Sequence, residues 1–229
     1  MKLVGIVGSA AKESYNRFLL KYIAAEFGDL FELELLEVKD LPLFDQEATV
    51  TADSLINKYS DTIKAADGVI IATPEHNHTV GAALKSALEW LSYDVHPFND
   101  KPVMVIGTSY YDQGTSRAQL HLRQILEAPG VNAITFPGHE FLLANAKDAF
   151  DEAHEIKDYR TVKFLEANLK EFKKFVKLIQ RMDDEELVDD VAGASENADT
   201  AKAPVAPVTD KEIAADNEVD DVASASVDE

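Results

Sequence analysis

Three short segments gather the polar and small residues whose types and spacing suit a bound small molecule. The first is Gly8-Ser9-Ala10-Ala11-Lys12-Glu13-Ser14-Tyr15-Asn16. It follows an apolar run and opens a helical pattern. Such a turn collects unpaired N–H groups, and its hydroxyls add donors, so it suits an anion such as phosphate. No Gly-Lys-Ser/Thr closes it, so it is not a Walker A loop. It also lacks G-x-G-x-x-G, which argues against a dinucleotide pyrophosphate. A single phosphate monoester fits better; the alternative is that Ser14 only caps the helix.

The second segment is Thr73-Pro74-Glu75-His76-Asn77-His78, just before Thr79. Its backbone and Asn amides suit the alternating donors and acceptors of a flat heterocycle. The alternatives are an ordinary turn, with Pro74 for rigidity and Thr79 as a cap, or a metal on the two histidines. Nothing else in the sequence is placed to complete a metal site, so none is expected. The third segment is Gly107-Thr108-Ser109-Tyr110-Tyr111-Asp112-Gln113-Gly114-Thr115-Ser116. Gly107 permits close backbone approach. The two tyrosines either cover an aromatic ligand or pack on a neighbouring subunit or the rim of the core.

The elements that must position these loops alternate. Apolar runs at Lys2–Val7, Gly68–Thr73 and Pro102–Gly107 predict buried strands, Phe31–Val38 alternates like a strand, and Asn132–Phe136 is a short fifth. Between and after them, helical spacing predicts helices over Tyr15–Phe27, Thr51–Lys64, Gly81–Leu91, Thr115–Glu127 and Asp158–Met182. Strands alternating with helices imply an α/β three-layer sandwich around a parallel sheet. Five strands suit the flavodoxin-like order 2-1-3-4-5, with ligands bound beyond the carboxyl ends of the strands at the switch point. The three polar segments are the loops after strands one, three and four.

The chain divides into a folded domain, residues 1–181, and an acidic tail, 182–229, expected to be disordered. The tail has no aromatic residue and 16 acidic residues against two lysines, so it carries −14 of the formal net charge of −20. It cannot bury enough apolar surface to offset the entropy of ordering. Its role is solubility or contact with a basic partner. Neither part offers the basic patch that nucleic acid requires. There is no cysteine, which excludes disulfides and thiolate chemistry. No signal peptide or membrane span is evident, so a cytoplasmic protein is expected.

Together the loops resemble those of the NADPH-dependent FMN reductase family, which includes quinone and azo-dye reductases. The resemblance covers roughly Met1–Leu178. TPEHNHTVGAALKSALEWLS, Thr73–Ser92, is close to the family's P-E-Y-N-x-S-x-x-x-x-L-K-N-A-I-D-W-L-S, and GSAAKESYN resembles G-S-x-R-x-x-S-x-N. The resemblance implies bound FMN, its phosphate held by Ser9, Ser14, Tyr15 and Asn16. Pro74, Glu75, His76 and Asn77 would line the isoalloxazine edge, and Gly107, Thr108 and Ser109 would lie beside the flavin. It further implies a homodimer or homotetramer. NADPH or NADH would donate hydride, and a quinone, flavin, azo compound or similar acceptor would receive the electrons. The flavin carries such chemistry, so no catalytic triad is expected. Departures are plain: Ala11 replaces the loop arginine, with Lys12 beside it as a point charge only. His76 and His78 stand at the family's Tyr and Ser positions, and S-Y-Y-D-Q-G-T replaces S-G-G-x-x-G-G. Two alternatives are an FMN electron carrier that docks to another protein and a flavodoxin-like interaction domain without flavin.

Overall fold

The computed structural model describes residues 1–182. The acidic segment beyond Met182, with its expected disorder and partner contact, lies outside the described residues. The elements are β1 (Lys2–Val7), α1 (Tyr15–Glu26), β2 (Glu32–Glu37), α2 (Leu55–Ala65), β3 (Gly68–Ala72) and α3 (Ala82–Tyr93). They continue with β4 (Pro102–Thr108), α4 (Ser116–Leu126), β5 (Ile134–Thr135), β6 (Phe141–Leu143), α5 (Ala146–Ala149) and α6 (Tyr159–Met182). Every strand pairing is parallel, and the order is β2-β1-β3-β4-β5, with β6 also on β4.

This is the expected flavodoxin-like order with one correction. The fifth position is shared by two short pieces. β5 pairs with Pro102 and Val103, while β6 pairs with Ile106, Gly107 and Thr108. Phe136-Pro137-Gly138-His139-Glu140 separates them. Pro137 cannot donate to a ladder, and Gly138 sits at φ +70°, so the strand cannot run through. β6 and the single turn α5 were not anticipated.

The strand period of two sends alternate side chains to opposite layers. Val4, Ile6, Val69, Ile71, Val103 and Val105 face a core closed by Ile63, Leu84, Leu88 and Leu122. Leu3, Val7, Ile70, Met104 and Ile106 face the other, closed by Leu19, Leu20 and Ile23 of α1 and Leu165, Leu169 and Phe172 of α6. The central strands β3 and β4 are buried along their whole length. They therefore present their carboxyl ends, and the loops that follow, at one rigid rim.

Candidate functional site

At that rim a cavity of about 180 Å³ is lined by residues of all three loops: Ser9, Ala11, Glu13, Ser14, Tyr15 and Asn16, then Pro74, Glu75 and His76, then Thr108, Ser109, Tyr110 and Tyr111, with Ala146. Of the residues singled out from the sequence, Asn77 and Gly107 do not line it. A groove of about 600 Å³ along β6, α5 and the start of α6 shares no lining residue with that cavity.

The first loop leaves its donors uncommitted. Gly8 N–H donates to Ala72 O at 2.9 Å, and a Cβ there would meet that oxygen at 2.7 Å. Ser14 has the extended backbone of a helix N-cap, yet its hydroxyl makes no capping bond. It is 5% exposed and lines the cavity, so the purely capping reading does not describe it. Among the described residues, the N–H groups of Lys12, Glu13, Ser14, Tyr15 and Asn16 find no acceptor. Ser9 Oγ accepts Ala11 N–H at 3.2 Å, which leaves its own proton free to donate. An unpartnered hydroxyl beside a run of unaccepted amides at a helix N-terminus is suited to hold an anion.

Other predicted residues are framework. Asn16 Nδ2 donates to Thr108 O and its Oδ1 accepts Thr108 N–H, both at 3.0 Å, so its amide is spent joining loop one to β4. The Glu75 carboxylate accepts the N–H groups of Arg117 at 3.1 Å and Ala118 at 3.3 Å. It caps α4 across the chain, where Thr115, at φ +74°, provides no side-chain cap. His76 and Thr79 exchange backbone bonds of 2.9 and 3.0 Å around Asn77 and His78, both at positive φ, which is a two-residue turn of the I′ kind. Asn77 is thereby turned to solvent, and Gly81, not Thr79, is the N-cap of α3. In this loop Glu75 N–H is the cavity-lining amide without an acceptor.

Gly107 is required by the protein's own packing: a Cβ would lie 2.0 Å from Thr115 Oγ1 and 2.5 Å from Thr73 O. Ser109 is tied down by Leu143 O at 3.1 Å, Ala146 N at 2.9 Å and Tyr111 O at 2.7 Å. Thr108 is a lining residue of the cavity, while its Oγ1 is buried without a partner. Tyr15 and Tyr110 meet edge to face at 5.5 Å, Lys147 Nζ lies 5.2 Å over the Tyr110 ring, and Tyr111 is 78% exposed.

Two residues that sequence reasoning passed over organise the first loop. Arg17, nearly buried, pairs through Nε and Nη2 with both oxygens of Glu37 at 2.6 and 2.7 Å. Its Nη1 donates to the carbonyls of Ala11 and Lys12 at 2.9 Å each. The bond to Glu37 raises the Arg17 pKa, against the lowering effect of burial. The signal was available: in the 2-1-3-4-5 order the end of β2 lies beside loop one, and Val7 registers with Glu37.

Fold and site together define a flavodoxin-like scaffold with a polar cavity, lined by three loops, at the switch point of its sheet. The family model for NADPH-dependent FMN reductase matches residues 1–148, and the chain belongs to that family. It is 41% identical over 182 residues to the NADH:(hydroxy)cinnamate reductase subunit CrdA of Vibrio ruber, covering 80% of this chain and 90% of that one. It is 42% identical over 186 residues to NADH-dependent flavin reductase subunit 2 of Lactobacillus johnsonii, covering 79% and 100%. Among solved structures it resembles FerB, a flavoenzyme NAD(P)H:(acceptor) oxidoreductase of Paracoccus denitrificans, with a TM-score of 0.68, 28% identity, and coverage of 77% and 98%.

The protein is thus an FMN-binding NAD(P)H oxidoreductase. The residues present fit FMN: the Ser14 hydroxyl and the free amides of the first loop match a phosphate monoester. Among the described residues, no group of three or more His, Asp or Glu is placed to hold a metal, and no helix is long and apolar enough to cross a membrane.

Proposed function

We propose that the chain oxidises NADH or NADPH at an FMN held by the three loops and passes the electrons to a quinone, flavin, azo compound or similar acceptor. The flavin supplies hydride acceptance and release. The chain's residues bind and orient. Ser9 and Ser14, with the amides of Lys12 to Asn16, hold the phosphate; Tyr15 walls it. Pro74, Glu75 and His76 border the ring edge through main-chain groups, while Thr108 and Ser109 border its other side. Asn16, Asn77 and Gly107 serve by fixing the loops. The observation that carries the reading is the unpartnered hydroxyl of the buried residue Ser14, on the cavity beside the unaccepted amides of Glu13 to Asn16 and next to that of Lys12.

The test is reconstitution. FMN-loaded protein should be yellow and oxidise a reduced nicotinamide steadily in the presence of a quinone, and S14A should weaken FMN binding about tenfold. Colourless protein that FMN cannot reconstitute would defeat the proposal.

A second reading concerns the acceptor. The relatives at 41% and 42% identity are named as subunits and as NADH enzymes, which supports NADH as donor and a partner protein as the physiological acceptor. The acidic segment 182–229 is then a docking arm for a basic surface, and the chain assembles as a homodimer or homotetramer. The cysteine-free sequence suits the reducing cytoplasm. Removing residues 183–229 should slow electron delivery to a partner while leaving quinone reduction intact; a change in solubility alone would reject the docking role.

A further inference from the structure

The family's loop arginine is absent here, since Ala11 stands in its place, yet a guanidinium still touches the loop from behind. Arg17 Nη1 holds the carbonyls of Ala11 and Lys12. In a trans peptide the C=O and N–H point in opposite directions. Drawing these two carbonyls toward Arg17 therefore turns the N–H groups of Lys12 and Glu13 away from it, and both are amides without an acceptor. Glu37 takes the other edge of the guanidinium in a two-point fork, which fixes the plane of Arg17 and neutralises its charge. Arg17 does not line the cavity, so it is not placed as a direct ligand.

We propose that Arg17, oriented by Glu37, is a positioning residue that presets the first loop for the cofactor phosphate by shape and not by charge. The inference rests on the FMN reading of the cavity. It makes the Arg17–Glu37 pair the substitute for a loop arginine: neutral amide donors, held in place, do the binding. The two explanations of an arginine near a phosphate site differ in sign at Glu37. If Arg17 acts by charge, unmasking it should tighten FMN binding; if it acts by position, loosening its plane should weaken FMN binding.

The experiment titrates FMN and riboflavin separately into apo wild type, R17K, R17M and E37Q, following flavin fluorescence, with a thermal melt of each apo protein. Wild type should prefer FMN to riboflavin. R17K and E37Q should each lose about 10- to 100-fold in FMN affinity, with riboflavin affinity unchanged, and R17M should lose at least as much. Equal losses for both flavins would make the pair a purely structural brace and overturn the proposal. So would tighter FMN binding by E37Q, or unaltered FMN binding by R17K. If R17M fails to fold, R17K and E37Q decide. A wild type that does not distinguish FMN from riboflavin would instead reject the phosphate cradle itself.

Discussion

Asn16 and the backbone of Thr108 exchange two buried hydrogen bonds of 3.0 Å across 92 positions of sequence. They lock the first turn of α1 to the last residue of β4, so the first and third loops keep one spacing. Both ends are almost wholly removed from water, Asn16 at 3% and Thr108 at 2% exposed. Asn16→Ala strands a buried N–H and a buried C=O and should cost about 2–4 kcal/mol. Asn16→Asp keeps an acceptor for Thr108 N–H but sets a carboxylate against Thr108 O, so it should cost at least as much. Urea unfolding of both variants, with m unchanged, checks this.

Two glycines separate steric from conformational demand. At Gly107 an added Cβ meets Thr115 Oγ1 and the backbone oxygen of Thr73, and a backbone atom cannot swing aside. Gly107→Ala should destabilise by about 3 kcal/mol or more. Gly138, at φ +70° with nothing within 4 Å, has only the left-handed penalty. Gly138→Ala should cost about 1–2 kcal/mol. Paired thermal melts should rank the two in that order.

Acid sensitivity is expected on α6. Glu166 is held between Lys163 and Lys170, each at 2.7 Å. The hydrogen bond from Lys163, then that from Lys170, pulls its pKa from 4.5 to about 2. A carboxyl whose folded pKa is depressed stabilises the fold above its unfolded pKa and loses that contribution as pH falls through the folded value. The stability difference between wild type and Glu166→Gln should thus be full above pH 4.5 and shrink toward pH 2. Both lysines are exposed and Glu166 is partly so, so the difference should also fall with added salt. Denaturant midpoints measured from pH 6 to pH 2 at low and high salt test both.

Much of this architecture was legible because β1, β3 and β4 are short apolar runs buried on both faces, and because Leu84, Ala87, Leu88 and Leu91 fall at helical spacing on α3. The three loops were legible because small and hydroxyl residues cluster between those patterns. What escaped was set by contacts distant in sequence. β6 is three residues long and exists because Ile106 to Thr108 offer it a ladder. The helix expected from Thr51 starts at Leu55 because the Ser54 hydroxyl accepts Asn57 N–H as its N-cap. Within the site, the family resemblance implies that Asn16 and Glu75 contact the cofactor, and says nothing of what their side chains hold. Their partners at Thr108, Arg117 and Ala118 are far along the chain, and those partners make them braces. Arg17 was hidden for the converse reason: it sits inside a helical pattern, and only the neighbouring end of β2 supplies Glu37.

The third loop should govern which acceptors enter. Where relatives carry glycines, Tyr110 and Tyr111 stand at the mouth of the cavity, Tyr110 steadied by Tyr15 and Lys147. Their rings add a flat wall of the sort on which planar ligands stack, and they occupy space that glycines would leave open. Replacing both with glycine should raise kcat/KM for a bulky azo dye about 10-fold while lowering it for a small benzoquinone, which loses its stacking surface. The loss for the quinone should appear in KM, because uniform binding is removed without change at the reacting ring. FMN affinity should hold, since Thr108 and Ser109 are anchored by Asn16, Leu143, Ala146 and the main-chain carbonyl of Tyr111, and not by a tyrosine side chain. Steady-state kinetics of the double variant with both acceptors tests the assignment; equal changes for the two would return the tyrosines to a packing role.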